Sequence, residues 1–218
     1  PMMPTVAPEA LRMGAKADLK GKTIALTFGT NQPYMLDALL QVNKIPNESV
    51  TRLNLNNQEI KLSLQQGRVD GAILYGANLA QIQTDMGAGL IRLPDVDAFA
   101  SHSILAARAS YVDSHPQEVQ RALRALDAAI RSMRADPAAA SRIVGAQFKL
   151  SEANAIKVLD NAEFSLKLDQ SLLLSLDDQA RWAIGQGLVR AGPVPNFVKF
   201  IKPAPLQAVL PAAVQIIH

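Results

Sequence analysis

Between Gly21 and Pro94, short apolar runs alternate with longer amphipathic stretches. Thr23 to Thr27 (TIALT) follow the flexible corner at Gly21 and predict a strand. Leu36, Leu39 and Leu40 then recur at helical spacing, and Pro33 suits a first helical turn, where its missing N–H costs nothing. That helix is expected to end near Asn43, ahead of Pro46. The cycle repeats. Val50, Leu53 and Leu55 mark a second strand, and Ile60 and Leu64 share one face of a short helix stopped by Gly67. Val69, Ala72, Ile73 and Leu74 form a third, buried strand, the segment NLAQIQTD a third helix, and LIRLP a fourth strand. Strand and helix in this order predict a doubly wound, parallel α/β sheet with right-handed crossovers.

After Leu93 the pattern changes. SHSILAARASYV reads as a final strand that leaves the sheet, and helical spacing dominates from Ser114 onward. Ser114, Pro116 and Gln117 stand in the order of an N-cap, a first helical proline and a capping-box partner. Val119, Leu123, Leu126, Ile130 and Met133 then make one apolar stripe. Asp136–Pro137 and Ser151 open two more helices, and another runs from about Asp169 to Gln186, stopped by Gly187. The tail from Gly192 is rich in proline and is expected to wrap over a surface. The expected organisation is a partial N-terminal or hinge segment (1–17), an α/β ligand-binding lobe (18–108) and a helical C-terminal part with its tail (109–218).

Composition narrows the chemistry. Of the 218 residues, 49% are hydrophobic and 19% charged, which is the balance of a folded protein. Aromatic residues make up 5%, little material for a stacking platform for bases or sugars, and a net charge of +3 does not indicate nucleic acid. The absence of cysteine removes thiol nucleophiles, thiolate metal sites and disulfides together. No apolar run approaches the ~18 residues of a membrane-spanning helix, and PMMPTVAPEALRMGAK lacks a basic segment followed by a long apolar one. His102, His115 and His218 lie in three separate contexts, none at metal-ligand spacing. No G-x-S-x-G, Walker or G-x-G-x-x-G motif occurs. The reading is a protein without catalytic residues, metal or cofactor.

What remains is a set of neutral polar turns. Phe28, Gly29, Thr30, Asn31 and Gln32 stand where the first strand hands over to its helix. A helix N-terminus offers unpaired N–H groups and partial positive charge, so Thr30, Asn31 and Gln32 either cap the helix or help it hold an anion. Tyr75, Gly76 and Asn78 occupy the C-terminal end of a predicted parallel strand, where open α/β sheets place ligands, and Asn78 has the same two readings. Phe164 is a third candidate for ligand contact, with a core or wedge role as the alternative. Trp182 is read as core packing, and Arg121, Arg124, Arg131 and Arg134 as a solvated helix side partnered by Asp127.

Three segments, ADLKGKTIALTFGT, LSLQQGRVDGAILYGANLAQI and SHPQEVQRALRALDAAI, resemble in sequence and order the periplasmic solute-binding proteins of ABC importers, in particular the nitrate/sulfonate/taurine group. In that group DLKGK opens the second lobe and QQGRVDGAIL matches a G-x-V-D-A helix–strand corner; the tail from Gly187 also resembles some members. The resemblance implies a type II periplasmic-binding-protein fold, with the helical C-terminal part belonging to the other lobe. It implies an extracytoplasmic receptor that holds a small anionic solute between lobes and delivers it to a membrane permease. Thr30, Asn31, Gln32, Tyr75, Gly76, Asn78 and Phe164 would then be ligand contacts. Nitrate, taurine, aromatic sulfonates and thiamine precursors all fit the group. Its members carry about half of a first lobe ahead of DLKGK, where this sequence has 1–17, so one wall of the cleft is expected to be absent and the C-terminal helices to expose apolar surface. Two alternatives share the fold: a pyrimidine-precursor synthase of thiamine biosynthesis, whose cysteine-rich motif has no counterpart here, and a ligand-sensing regulatory module.

Overall fold

A computed structural model describes residues 5–8, 19–93, 102–160 and 162–216. Thr5–Pro8 (β1), Thr23–Leu26 (β2), Thr51–Asn54 (β3), Gly71–Ile73 (β4) and Leu90–Arg92 (β5) form one sheet in the order β3-β2-β4-β1-β5. Three helices connect them: α1 (Gln32–Val42), α2 (Asn57–Gln65) and α3 (Gly76–Met86). β2 pairs in parallel with β3 and β4 on either side, with Ile24 opposite Arg52 and Ala25 opposite Ala72. β1 runs antiparallel to both β4 and β5.

The sheet is covered on both faces because its side chains alternate. Ile24, Leu26 and Ile73 belong to one buried cluster, which α1 closes with Met35, Leu36, Leu39 and Leu40. Ala25, Ala72 and Leu74 belong to the other, closed by Ile60 and Leu64 of α2 and Leu79 and Ile82 of α3. Leu36 and Leu40 are fully buried, and each such side chain contributes about 1.5–3 kcal/mol through burial. A bond of 2.5 Å between Arg52 of β3 and Asp37 of α1, and an ion pair between Lys61 of α2 and Asp85 of α3, tie helices to their surroundings.

Beyond the sheet come α4 (Ala109–Ser114), α5 (Pro116–Ala135), α6 (Pro137–Phe148), α7 (Glu152–Asp160), α8 (Gln170–Gly185) and α9 (Ala204–Val209). The chain forms two compact units, residues 1–99 with 141–162 and residues 100–140 with 163–218. In the first, α7 returns to α3, where the Thr84 hydroxyl donates to Asn154 Oδ1 at 2.8 Å. In the second, α9 packs on α5, burying Leu206 and Leu123. Leu168 exchanges backbone bonds of 2.8 and 2.7 Å with Ala213 and Gln215, so the proline-rich tail is pinned to its own unit.

Several expectations are corrected here. The sheet is mixed, because Thr5–Pro8 from the supposed hinge segment inserts as an antiparallel strand between β4 and β5. The described part of SHSILAARASYV contains no strand; it turns into helix α4 at Ala109. Ser114 closes that helix, its hydroxyl donating to Ser110 O at 2.7 Å, so no capping box forms with Gln117 and the N-cap of α5 is His115. Trp182 is half-buried, and no residue of α8 is fully buried. Leu174 of α8 and Phe200, in the tail, are exposed. The arginines of α5 make local contacts: Arg131 pairs with Asp127, Arg121 with Glu118, Arg124 donates to Gln120, and Arg134 donates to the Phe164 carbonyl at 2.6 Å. His218 lies outside the described residues.

Candidate functional site

Each of the three parallel strands β2, β3 and β4 ends in a turn that leads straight into a helix. The three helix N-termini therefore lie on one edge of the sheet, but they are finished differently. α2 closes itself. Asn56 Oδ1 accepts from the N–H groups of Gln58 and Glu59 at 3.0 and 3.1 Å, and Glu59 reaches back to the Asn56 N–H at 2.8 Å, completing a capping box. α1 and α3 have no capping side-chain bond from their N-cap residues, Asn31 and Tyr75, and no acidic residue in the first turn. Those two helices follow β2 and β4, which are neighbours in the sheet. Two helix ends with partial positive charge thus stand side by side without a built-in counter-charge.

The turn after β2 is braced from within. The Thr27 N–H donates to Gln32 Oε1 at 2.5 Å, the Thr27 hydroxyl to Leu55 O at 2.8 Å, and the Thr30 hydroxyl to Thr27 O at 2.6 Å. Thr30 Oγ1 also accepts from the Gln32 N–H at 3.2 Å. Gln32 is 2% exposed, so its side chain is a strut of the turn, while Thr30 is exposed and Asn31 partly so. The turn after β4 is shorter: Tyr75 is extended and Gly76 starts the helix. Gly29 and Gly76 have φ of +74° and +55°, a left-handed backbone that favours glycine, and a Cβ at either would meet nothing within 4 Å. The space beside both turns is open.

Of the residues singled out in the sequence, Thr30, Asn31, Gln32, Tyr75, Gly76 and Asn78 lie on this edge of the first unit. Phe164 belongs to the second unit, exposed by 38%. Two residues on the edge, Phe28 (named above only as part of the turn) and Asn54, were not among the candidate ligand contacts. Phe28, 48% exposed, occupies the same step beyond β2 that Tyr75, 44% exposed, occupies beyond β4, each three residues past the paired Ala25 and Ala72. Asn54, at the end of β3, accepts the Phe28 N–H at 2.9 Å and fixes that backbone. The repeated dipeptide pattern, Phe28–Gly29 and Tyr75–Gly76, was visible in the sequence as an aromatic followed by glycine at successive strand ends. Among the described residues no cluster of His, Cys, Asp and Glu suits a metal ion. What the edge offers chemically is backbone N–H groups, a hydroxyl, amides, a phenol and two aromatic faces.

Residues 8–140 match the family model described as NMT1/THI5 like. None of the curated proteins matches the sequence. Among solved structures, the periplasmic aliphatic sulphonate binding protein SsuA of Escherichia coli superposes with a TM-score of 0.80 at 16% identity, over 100% of this chain and 67% of that one. The alkanesulfonate-binding protein SsuA of Xanthomonas axonopodis pv. citri, bound to MOPS, gives 0.76 at 18% identity, over 88% and 68%. The desulfurization enzyme DSZB gives 0.70 at 16% identity, over 96% and 76%. The chain spans about two thirds of the length of the two sulphonate-binding proteins. These likenesses show the fold, the α/β fold of type II periplasmic binding proteins, which is shared by receptors and an enzyme. No described helix is long and apolar enough to cross a membrane.

Proposed function

The chain belongs to the NMT1/THI5-like family, and on that premise we propose that it is the extracytoplasmic solute-binding component of an ABC importer, holding a small organic or inorganic anion. The observation that supports this reading is the contrast between two helix ends on one sheet edge: α2 is closed by Asn56 and Glu59, while α3 has no capping bond from its N-cap side chain and no acid in its first turn. α1, on the adjacent strand, also lacks an acid there, but its Gln32 N–H is taken by Thr30 and Pro33 has none. Backbone donors and helix dipoles hold an anion without a permanent counter-ion, which suits a receptor that must release its cargo. Thr30, Asn31, Tyr75, Gly76 and Asn78 form the binding edge, and Gln32 braces it. The two solved receptors are named for sulfonates, and a sulfonate, taurine or nitrate is the cargo proposed here. The partner is the membrane permease of the same importer.

DSZB supports an enzymatic alternative on the same fold. The edge itself favours binding, since its side chains are amides, hydroxyls and a phenol rather than a nucleophile with a base. The test is isothermal titration of the purified chain with ethanesulfonate, taurine and nitrate, each set against the neutral ethyl methyl sulfone. Saturable binding of at least one anion, with no heat from the sulfone, is expected. Equal binding of anion and neutral sulfone, or no binding of any anion, contradicts the proposal.

A further inference from the structure

We propose that the segment leaving α8, from Leu188 to Lys202, is a contact surface for an anionic lipid membrane. The proposal is independent of the anion reading above and concerns the second unit alone.

Charge is spread unevenly along the chain. Of 22 cationic and 19 acidic side chains, Arg181, Arg190, Lys199 and Lys202 follow Asp178, and no acid does. Residues 1–178 therefore carry 18 cations against 19 acids, and the last 40 residues hold the whole positive excess. Two of those four cations are used locally: Arg181 donates to Asp177 at 2.8 Å, and Lys202 to Asp113 at 2.8 and 3.0 Å. Arg190 and Lys199 have no ion-pair partner among the described residues.

Each of these two cations stands beside a protruding apolar side chain. α8 stops at Gly187, with φ +67°, and the Leu188 N–H turns back to Ala183 O at 3.0 Å. That leaves Leu188 63% exposed and Val189 exposed just ahead of Arg190. Further on, Phe197–Phe200 form a 3₁₀ turn that packs against α8, capped by Asn196 Oδ1, which accepts from the Val198 N–H at 3.1 Å. Phe197 and Val198 are half-buried in this turn, whereas Lys199 is exposed and Phe200 is 74% exposed. A bilayer surface suits both halves of the pattern. The cations meet anionic headgroups, and the phenyl ring enters the boundary between headgroups and acyl chains. Two unpaired cations and three apolar side chains give weak, reversible attachment rather than an anchor.

The test is flotation of the full chain with phosphatidylglycerol vesicles and, separately, with phosphatidylcholine vesicles, at about 20 mM salt. Partition into the anionic vesicles is expected to exceed that into the zwitterionic ones by about tenfold or more, and to fall when salt is raised to about 0.5 M. The double variant Arg190→Glu/Lys199→Glu should weaken it by at least about tenfold, and Phe200→Ser by about threefold or more. A matched control, Arg68→Glu/Arg142→Glu, reverses two exposed cations of the first unit; it should cost less than about threefold. Circular dichroism confirms that each variant is folded. No binding to the anionic vesicles, or equal partition into both kinds, overturns the proposal. A loss in the control as large as in the Arg190/Lys199 variant overturns it too, because net charge alone would then explain binding. So does an unchanged partition in Phe200→Ser, since cations alone would suit any acidic surface, a protein's included.

Discussion

Two helix ends on one sheet edge, α2 and α3, each follow a parallel strand and finish oppositely. Counted from the N-cap, the third helical residue is Glu59 in α2 and Asn78 in α3. In α2 that acid and Asn56 consume the free N–H groups and balance the dipole, so the end is saturated. In α3 the N-cap is Tyr75, which makes no capping bond, and the first turn has no acid. α1, on the neighbouring strand, shares the missing acid. Stability alone favours closing all three ends, since a good N-cap contributes about 1 kcal/mol. Under the proposed function, the α3 end, left without a cap or an acid while α2 is doubly closed, is the part of the edge that receives the anion.

The comparison is sharpened most strongly at Gly76. Alanine there must adopt φ +55°, and that left-handed backbone costs a side chain about 1–2 kcal/mol; chemical denaturation should show this loss although a Cβ meets no neighbour. Next, Asn56→Ala opens the closed end. It should destabilise the protein by about 1 kcal/mol without weakening anion affinity, and a loss of affinity would break the distinction between the two ends. The smallest effect is in pH dependence, at the ion pair that joins the two helices. Asp85 is held below its ordinary value of 3.8, first by its hydrogen bond from Lys61 and then by that from Gln81, against a smaller opposing effect of burial. Because its pKa is lower folded than unfolded, its contribution is fully present above about pH 4 and is lost as pH falls through the folded value. Thermal melts from pH 7 to pH 3 should therefore show wild type and Asp85→Asn converging at the acid end.

Much of this was legible in the sequence where local pattern and tertiary structure agree. β2, β3 and β4 and helices α1 to α3 announced themselves by apolar runs and by Pro33 and Gly67, because each buries a face that its own residues define. β1 was not legible. Thr5–Pro8 carries a proline and has no long apolar run, and it is a strand only because β4 and β5 supply partners distant in sequence. The two capping motifs make the sharpest lesson. Ser114–Gln117 has the spacing of a capping box but does not form one, since Ser114 is already the last residue of α4 and its hydroxyl is turned back to Ser110. Asn56–Glu59 has equal spacing and does form one, and it was there to be read. The candidate turns at Thr30 and Tyr75 were legible from strand-to-helix order. Their difference from the Asn56 turn was not, because it depends on which side chains reach the free N–H groups. The inward turn of Gln32 and the role of Asn54 likewise depend on contacts across the turn and between strands.

The most direct test of the central claim is Asn78→Asp, which gives α3 an acid at the position where α2 carries Glu59. The charge should stabilise the helix end by about 0.3–1 kcal/mol while repelling the ligand, so calorimetric titration should show ethanesulfonate affinity falling by roughly tenfold or more. Unchanged affinity in a folded Asn78→Asp protein would contradict the account, because the anion would then not be held at the open end of α3.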